Sequence, residues 1–101
     1  MSLQDLYDTN RKLYMQNYIS HQKFYLWLAN EIGVTEKDLP ASKSEIQFSV
    51  DKPRFNDIPL YLWDRKDSII RQKAHNSGIK VWSLCNTVCC LKAYAMNLIK
   101  E

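Results

Sequence analysis

The sequence predicts a mainly α-helical fold, a small three-helix domain, on three observations. Apolar side chains recur at steps of three and four residues along most of the 101 positions, the spacing of one helix face. Chain breakers are few: glycine stands only at Gly33 and Gly78, and proline only at Pro40, Pro53 and Pro59, which leaves room for long uninterrupted helices. The last third, residues 79–100, is apolar around most of a helical circumference, so that helix must be buried on more than one side. A chain this long fits one domain, 1–101. Its 46% hydrophobic and 25% charged residues are ordinary for a globular protein.

The first helix is expected over 3–32. Leu3, Tyr7, Tyr14, Tyr18, Tyr25, Leu28 and Ile32 form its apolar stripe, and Leu6, Leu13 and Phe24 widen it. Gly33 stands where a left-handed C-cap glycine belongs. Thirty helical residues extend about 45 Å, whereas a compact domain of this size is about 26 Å across. The helix therefore breaks near 19–22, or it projects and is covered by a partner. No glycine or proline forces the break, and a long N-terminal helix is the expectation.

The segment 34–57 connects. Thr35 and Asp38 have capping-box spacing. Residues 46–50 alternate apolar and polar, predicting an extended segment near 44–51 that stays unpaired or pairs across a dimer. Pro53 and Pro59 fence a turn around Asn56 and Asp57.

The second helix is expected over 59–76, with Asp57 as N-cap and Pro59 in the first turn. Ile58, Leu62 and Ile69 face one way, with Trp63, Ile70 and Ala74 beside them. Gly78 closes the turn into the third helix, 79–100, so the two make a C-terminal helical hairpin. Lys92 is the one charge on the apolar half of that third helix. It either snorkels to an edge or meets a carboxylate.

Charge is uneven along the chain. Residues 1–51 carry five basic and seven acidic side chains, and 52–101 carry nine and four, within a net charge of +3. The three cysteines, Cys85, Cys89 and Cys90, all lie in the third helix, where adjacent and i,i+4 spacings suit a disulfide poorly. They read as small buried hydrophobes in a reducing, cytoplasmic compartment. Ser2, Gln4, Asp5 and Asp8 do not resemble a signal peptide. Lys80, Asn86, Lys92 and Asn97 would be costly in hydrocarbon, so no membrane span is expected.

Two groups of residues are site candidates. Asn10, Asn17 and His21 sit amid Tyr7, Tyr14, Tyr18 and Tyr25 on the first helix. As a recognition face, the tyrosines supply rigid area with a polar tip. As a structural stripe, they bury their rings, and the asparagines fix register at a core or subunit seam. The second group is Arg65, Lys66, Arg71, Lys73 and Lys80, set against Asp67, with His75, Lys52 and Arg54 nearby. It is either a phosphate-binding strip, with Arg11, Lys12 and Lys23 adding cations beside aromatics, or a solvated helix face. A DNA-reading helix-turn-helix does not fit, because its second helix would offer Val81, Trp82, Leu84 and Cys85 to the bases.

No metal site is expected, since no Cys-x-x-Cys or close histidine pair occurs. No glycine-rich phosphate loop is present, and no cofactor or catalytic residue is expected. Asp64 and Asp67 are explained by salt bridging on a solvated helix. The sequence therefore points to a small non-enzymatic interaction protein, an adaptor, regulator or assembly subunit. It would act through self-association as a homo-oligomer or through a protein partner, because its apolar sectors exceed what a three-helix monomer covers. The alternative is a nucleic-acid-binding helical module using 65–80.

Overall fold

The computed structural model describes residues 2–46 and 60–100. The chain is mainly helical, and no strand occurs among the described residues. Helix α1 spans Leu3–Met15 and α2 spans His21–Ile32. A 3-10 turn follows at Glu36–Asp38, and then a single helical turn over 43–46. Helices α3 (Leu60–Asp64), α4 (Asp67–Asn76) and α5 (Leu84–Lys100) complete the order.

The expected long helix over 3–32 is two helices. Ser2 and Asp5 close a capping box at the start of α1. At its end, the Tyr18 N–H donates to Leu13 O at 2.8 Å and the Asn17 N–H to Tyr14 O at 3.0 Å. This is a Schellman closure, with Asn17 in the left-handed region at φ 64°. Asparagine occupies that region more readily than other residues with a side chain. Ser20 then caps α2, its hydroxyl accepting the Lys23 N–H at 3.1 Å. The same closure recurs with glycine: Val34 N–H to Ala29 O past Gly33, and Ile79 N–H to Ala74 O past Gly78.

Folding α2 back on α1 stacks Tyr14 on Phe24 at 5.4 Å between ring centroids and sets Tyr7 5.9 Å from Phe24. It also keeps the longest dimension of the molecule to 40 Å.

Helix α5 is the centre. Its Asn86 meets Tyr25 and its Ala93 carbonyl accepts from Gln22 at 2.8 Å, so α2 runs antiparallel to it. Asn86, Thr87, Cys90, Leu91, Ala93 and Ala95 are all buried. At 3.6 residues per turn they cover an arc of about 200°. The wide apolar arc of α5 is thus met by a central position in the core, while Val81 and Leu84 before and at its start are 77% and 45% exposed.

Two further boundaries differ from expectation. The helix expected over 59–76 is interrupted at Arg65 and Lys66, between α3 and α4. Its proposed cap, Asp57, lies outside the described residues. The third helix begins at Leu84, not at 79. Segment 79–83 is non-helical, burying Ile79 and Trp82, and Ser83 accepts the Asn86 N–H at 3.2 Å.

The extended segment expected near 44–51 is also corrected. Residues 43–46 form a helical turn, in which Ser42 takes the Glu45 N–H on its hydroxyl and the Ile46 N–H on its carbonyl. That turn places Ile46 fully in the core. Residues 47–51 lie outside the described residues.

The capping box at Thr35 and Asp38 forms as expected, the Thr35 N–H donating to Asp38 at 2.9 Å. Lys73 reaches across from α4, binding the same Asp38 oxygen at 2.6 Å and the Gly33 carbonyl at 3.0 Å. It ties the C-terminus of α2 to α4 with a cation where the helix dipole favours one. Burial alone would raise the Asp38 carboxyl. The Lys73 ammonium and the Thr35 N–H outweigh it and hold the group below its usual range.

A carboxyl depressed in the folded state adds stability above its unfolded pKa of about 3.9, and that stability is lost as pH falls through the lower folded value. Asp38→Asn is expected to cost about 1–2 kcal/mol at pH 7, with the deficit shrinking below pH 4. Urea unfolding of both proteins at pH 7 and pH 3 measures it.

Candidate functional site

Fold-back at Asn17 divides the tyrosine stripe into an inner and an outer group. Tyr7 and Tyr25 are buried and Tyr14 is half-buried. Tyr25 lies 4.8 Å from Phe24 and 6.0 Å from Tyr14, both edge-on. His21, exposed, borders this cluster at 4.7 Å from Tyr25 and 5.6 Å from Tyr14. Asn10 is half-buried and lines a shallow cleft of about 210 Å³ with Ile19, Lys23, Phe24 and Trp27.

Buried Asn86 joins three helices. It accepts from the Tyr25 hydroxyl at 3.3 Å and donates to the Tyr7 hydroxyl at 3.0 Å. Burial, followed by the neighbouring Cys89 and Cys85, pushes the Tyr25 hydroxyl above its ordinary range, so it stays a protonated donor.

The outer group is the α1–α2 corner. Asn17 is exposed there with its left-handed backbone, and Tyr18 is 75% exposed. Met15, which periodicity did not single out, is 67% exposed. With Asp8, Arg11, Lys12 and Gln16 it lines an open groove of about 460 Å³. The groove therefore sets Met15 beside two cations, Arg11 and Lys12, and one carboxylate, Asp8. Its signal in the sequence is the outward phase of Met15 on α1, legible only once the helix is known to stop there.

The basic candidates differ in their partners. Lys73 is bound to Asp38 and Gly33. Arg71 donates to the Trp82 carbonyl at 2.9 Å and pairs with Asp67 at 3.1 Å. The other Asp67 oxygen accepts from the Thr87 hydroxyl at 2.8 Å, and Thr87 in turn accepts from the Trp82 indole N–H at 2.8 Å. The four residues close a hydrogen-bonded ring between α4, segment 79–83 and α5. Arg65 and Lys66 flank a cleft of about 360 Å³ formed with Leu39, Pro40, Leu62 and Ile69. Lys80 is exposed on segment 79–83, where its backbone N–H donates to Gln4 of α1 at 2.8 Å.

Among the described residues, Lys92 meets an aromatic face. Its ammonium stands 5.8 Å from the centroid of the fully buried Trp63 ring, a cation–π distance. The cysteines divide by exposure. Cys90 is buried as expected, Cys89 is half-buried, and Cys85 is exposed. The reading of all three as buried hydrophobes is corrected at Cys85, which sits in the exposed first turn of α5. Burial, and then the neighbouring Cys85, pushes the Cys89 thiol up to about 12. Burial holds the Cys90 thiol well above its ordinary value.

Among the described residues, no group of three or more His, Cys, Asp or Glu side chains is placed to hold a metal ion, and no helix is long and apolar enough to cross a membrane. Compared with protein-family models, curated proteins and solved structures, the chain matches none.

Proposed function

We propose that this chain is a small non-enzymatic interaction protein, an adaptor, regulator or assembly subunit of a reducing, cytoplasmic compartment. It engages a protein surface, a second copy of itself included, through the α1–α2 corner. The observation that carries the reading is the pair Met15 and Tyr18, 67% and 75% exposed on either side of Asn17. Large, adaptable or rigid apolar side chains of this kind anchor protein interfaces. Arg11 and Lys12 beside Met15 favour an acidic rim on the partner and speed encounter with it. The aromatic cluster of buried Tyr7 and Tyr25 and half-buried Tyr14 acts behind the corner as its support.

The second reading is a nucleic-acid module built on Arg65, Lys66 and Lys80. It is weaker because Arg71 and Lys73 already have partners inside the fold.

Light scattering after size exclusion, at low and high salt with absorbance at 260 and 280 nm, separates the two. The protein reading predicts an assembly above monomer mass that survives high salt and reverts to monomer in Met15→Ser/Tyr18→Ser. Material absorbing at 260 nm that is shed at high salt would favour nucleic acid instead.

A further inference from the structure

The thiols of Cys85 and Cys89 lie 3.8 Å apart, one turn from each other on the first two turns of α5. Cys85 is exposed and Cys89 half-buried, so the pair opens toward solvent on the side of Cys85. Two chemistries compete for such a pair. A disulfide needs Cβ atoms about 3.5–4.5 Å apart, whereas i,i+4 positions on a helix hold them at about 5–6 Å. Oxidation would therefore have to unwind the start of α5, where Asn86 and Thr87 hold the core network together. A shared cation needs no such movement. Tetrahedral coordination with metal–sulfur bonds of about 2.3 Å sets two thiolates about 3.8 Å apart, and the two sulfurs already stand at that separation.

We propose that Cys85 and Cys89 form a two-thiolate site for a thiophilic, tetrahedral divalent cation of the zinc class. The remaining coordination positions face solvent, where water or the same pair from a second copy completes them. Binding breaks two S–H bonds, forms two metal–sulfur bonds and releases two protons to water, with no change of oxidation state. Soft thiolate donors select zinc over magnesium or calcium. Among the described residues, the groups that act on the pair are the Lys92 ammonium, one turn beyond Cys89 on α5, and the Tyr25 hydroxyl from α2. Binding displaces the thiol protons, so affinity rises with pH.

Cadmium(II), alone and in the absence of competing thiols, is the probe, titrated into the full reduced chain at pH 7 and pH 8. A thiolate-to-metal charge-transfer band in the ultraviolet is expected to saturate at one metal per chain, or at one-half if a second copy completes the site, with two protons released per chain. Cys85→Ser and Cys89→Ser should each abolish the saturable band, and Cys90→Ala should keep it. Circular dichroism identical to the parent shows that Cys85→Ser, at an exposed position, is folded. Absence of a saturating band in the parent, its persistence in folded Cys85→Ser, or a requirement for Cys90 would overturn the site.

Discussion

Asn86→Ala is expected to lower stability by about 3 kcal/mol. Asn86 is only 6% exposed and is held between the hydroxyls of Tyr7 on α1 and Tyr25 on α2. Truncation opens a void and also removes the partner of the hydroxyls of Tyr7 and Tyr25, which are 6% and 7% exposed, and each stranded group costs about 1–3 kcal/mol. A control separates stranding from lost volume. Tyr7→Phe/Tyr25→Phe/Asn86→Leu removes donors and acceptors together, and an all-apolar replacement of similar size is nearly neutral. Urea unfolding, with an unchanged slope, should place the triple variant well above Asn86→Ala. The reverse order would mean that the amide holds the helices by shape alone.

Thr87→Val should cost about 2–3 kcal/mol, although it keeps the side-chain shape. The Thr87 hydroxyl is the hinge of the ring that runs from the Trp82 indole through Asp67 and Arg71 back to the Trp82 carbonyl. Valine fills the same space but leaves a buried indole N–H without its acceptor and removes a hydrogen bond to a charged carboxylate, a stronger class than neutral pairs. Thr87→Ser retains the hydroxyl and loses one methyl, so its cost is about 1 kcal/mol. Thermal unfolding should therefore rank the parent above serine and serine above valine. Equal losses in the two variants would assign the position to packing rather than to the ring.

Much of the scaffold is legible in the residues themselves. Gly33 and Gly78 stop helices where left-handed closures occur, Thr35 and Asp38 cap as their spacing suggests, and the wide apolar arc of α5 announces a core helix. The break between α1 and α2 is not legible by the same signs. Steps of three and four continue through Tyr14, Tyr18 and Tyr25 as though the helix ran on, and the closing residue is Asn17, a weaker signal than glycine. The start of α5 is hidden for a related reason. Ile79 and Trp82 are buried whether 79–83 is helical or extended, so periodicity cannot place the boundary, and only Ser83 marks it.

The candidate sites follow the same division. Arg71 and Lys73 look like surface cations in one dimension. Arg71 has a legible i,i+4 partner in Asp67, but the other partners are a carboxylate 35 residues away and backbone carbonyls 11 and 40 residues away, and carbonyls carry no sequence signal. The tyrosine stripe is real as a pattern, but folding back at Asn17 sends Tyr7 and Tyr25 inward and Tyr18 outward. Met15 and Tyr18 are both exposed at the corner, and although their i,i+3 spacing would set them on one face of a helix over 3–32, only the end of α1 at Met15 shows that this face is uncovered there.

The most direct test of an interaction role is photo-cross-linking in cells that express the chain, with a photoreactive amino acid in place of Tyr18 and, separately, in place of Lys37 on the remote 3-10 turn. A discrete protein adduct from position 18, lost on adding Met15→Ser and absent from position 37, is the predicted result. No adduct from position 18, or the same adducts from both positions, would contradict binding through the α1–α2 corner.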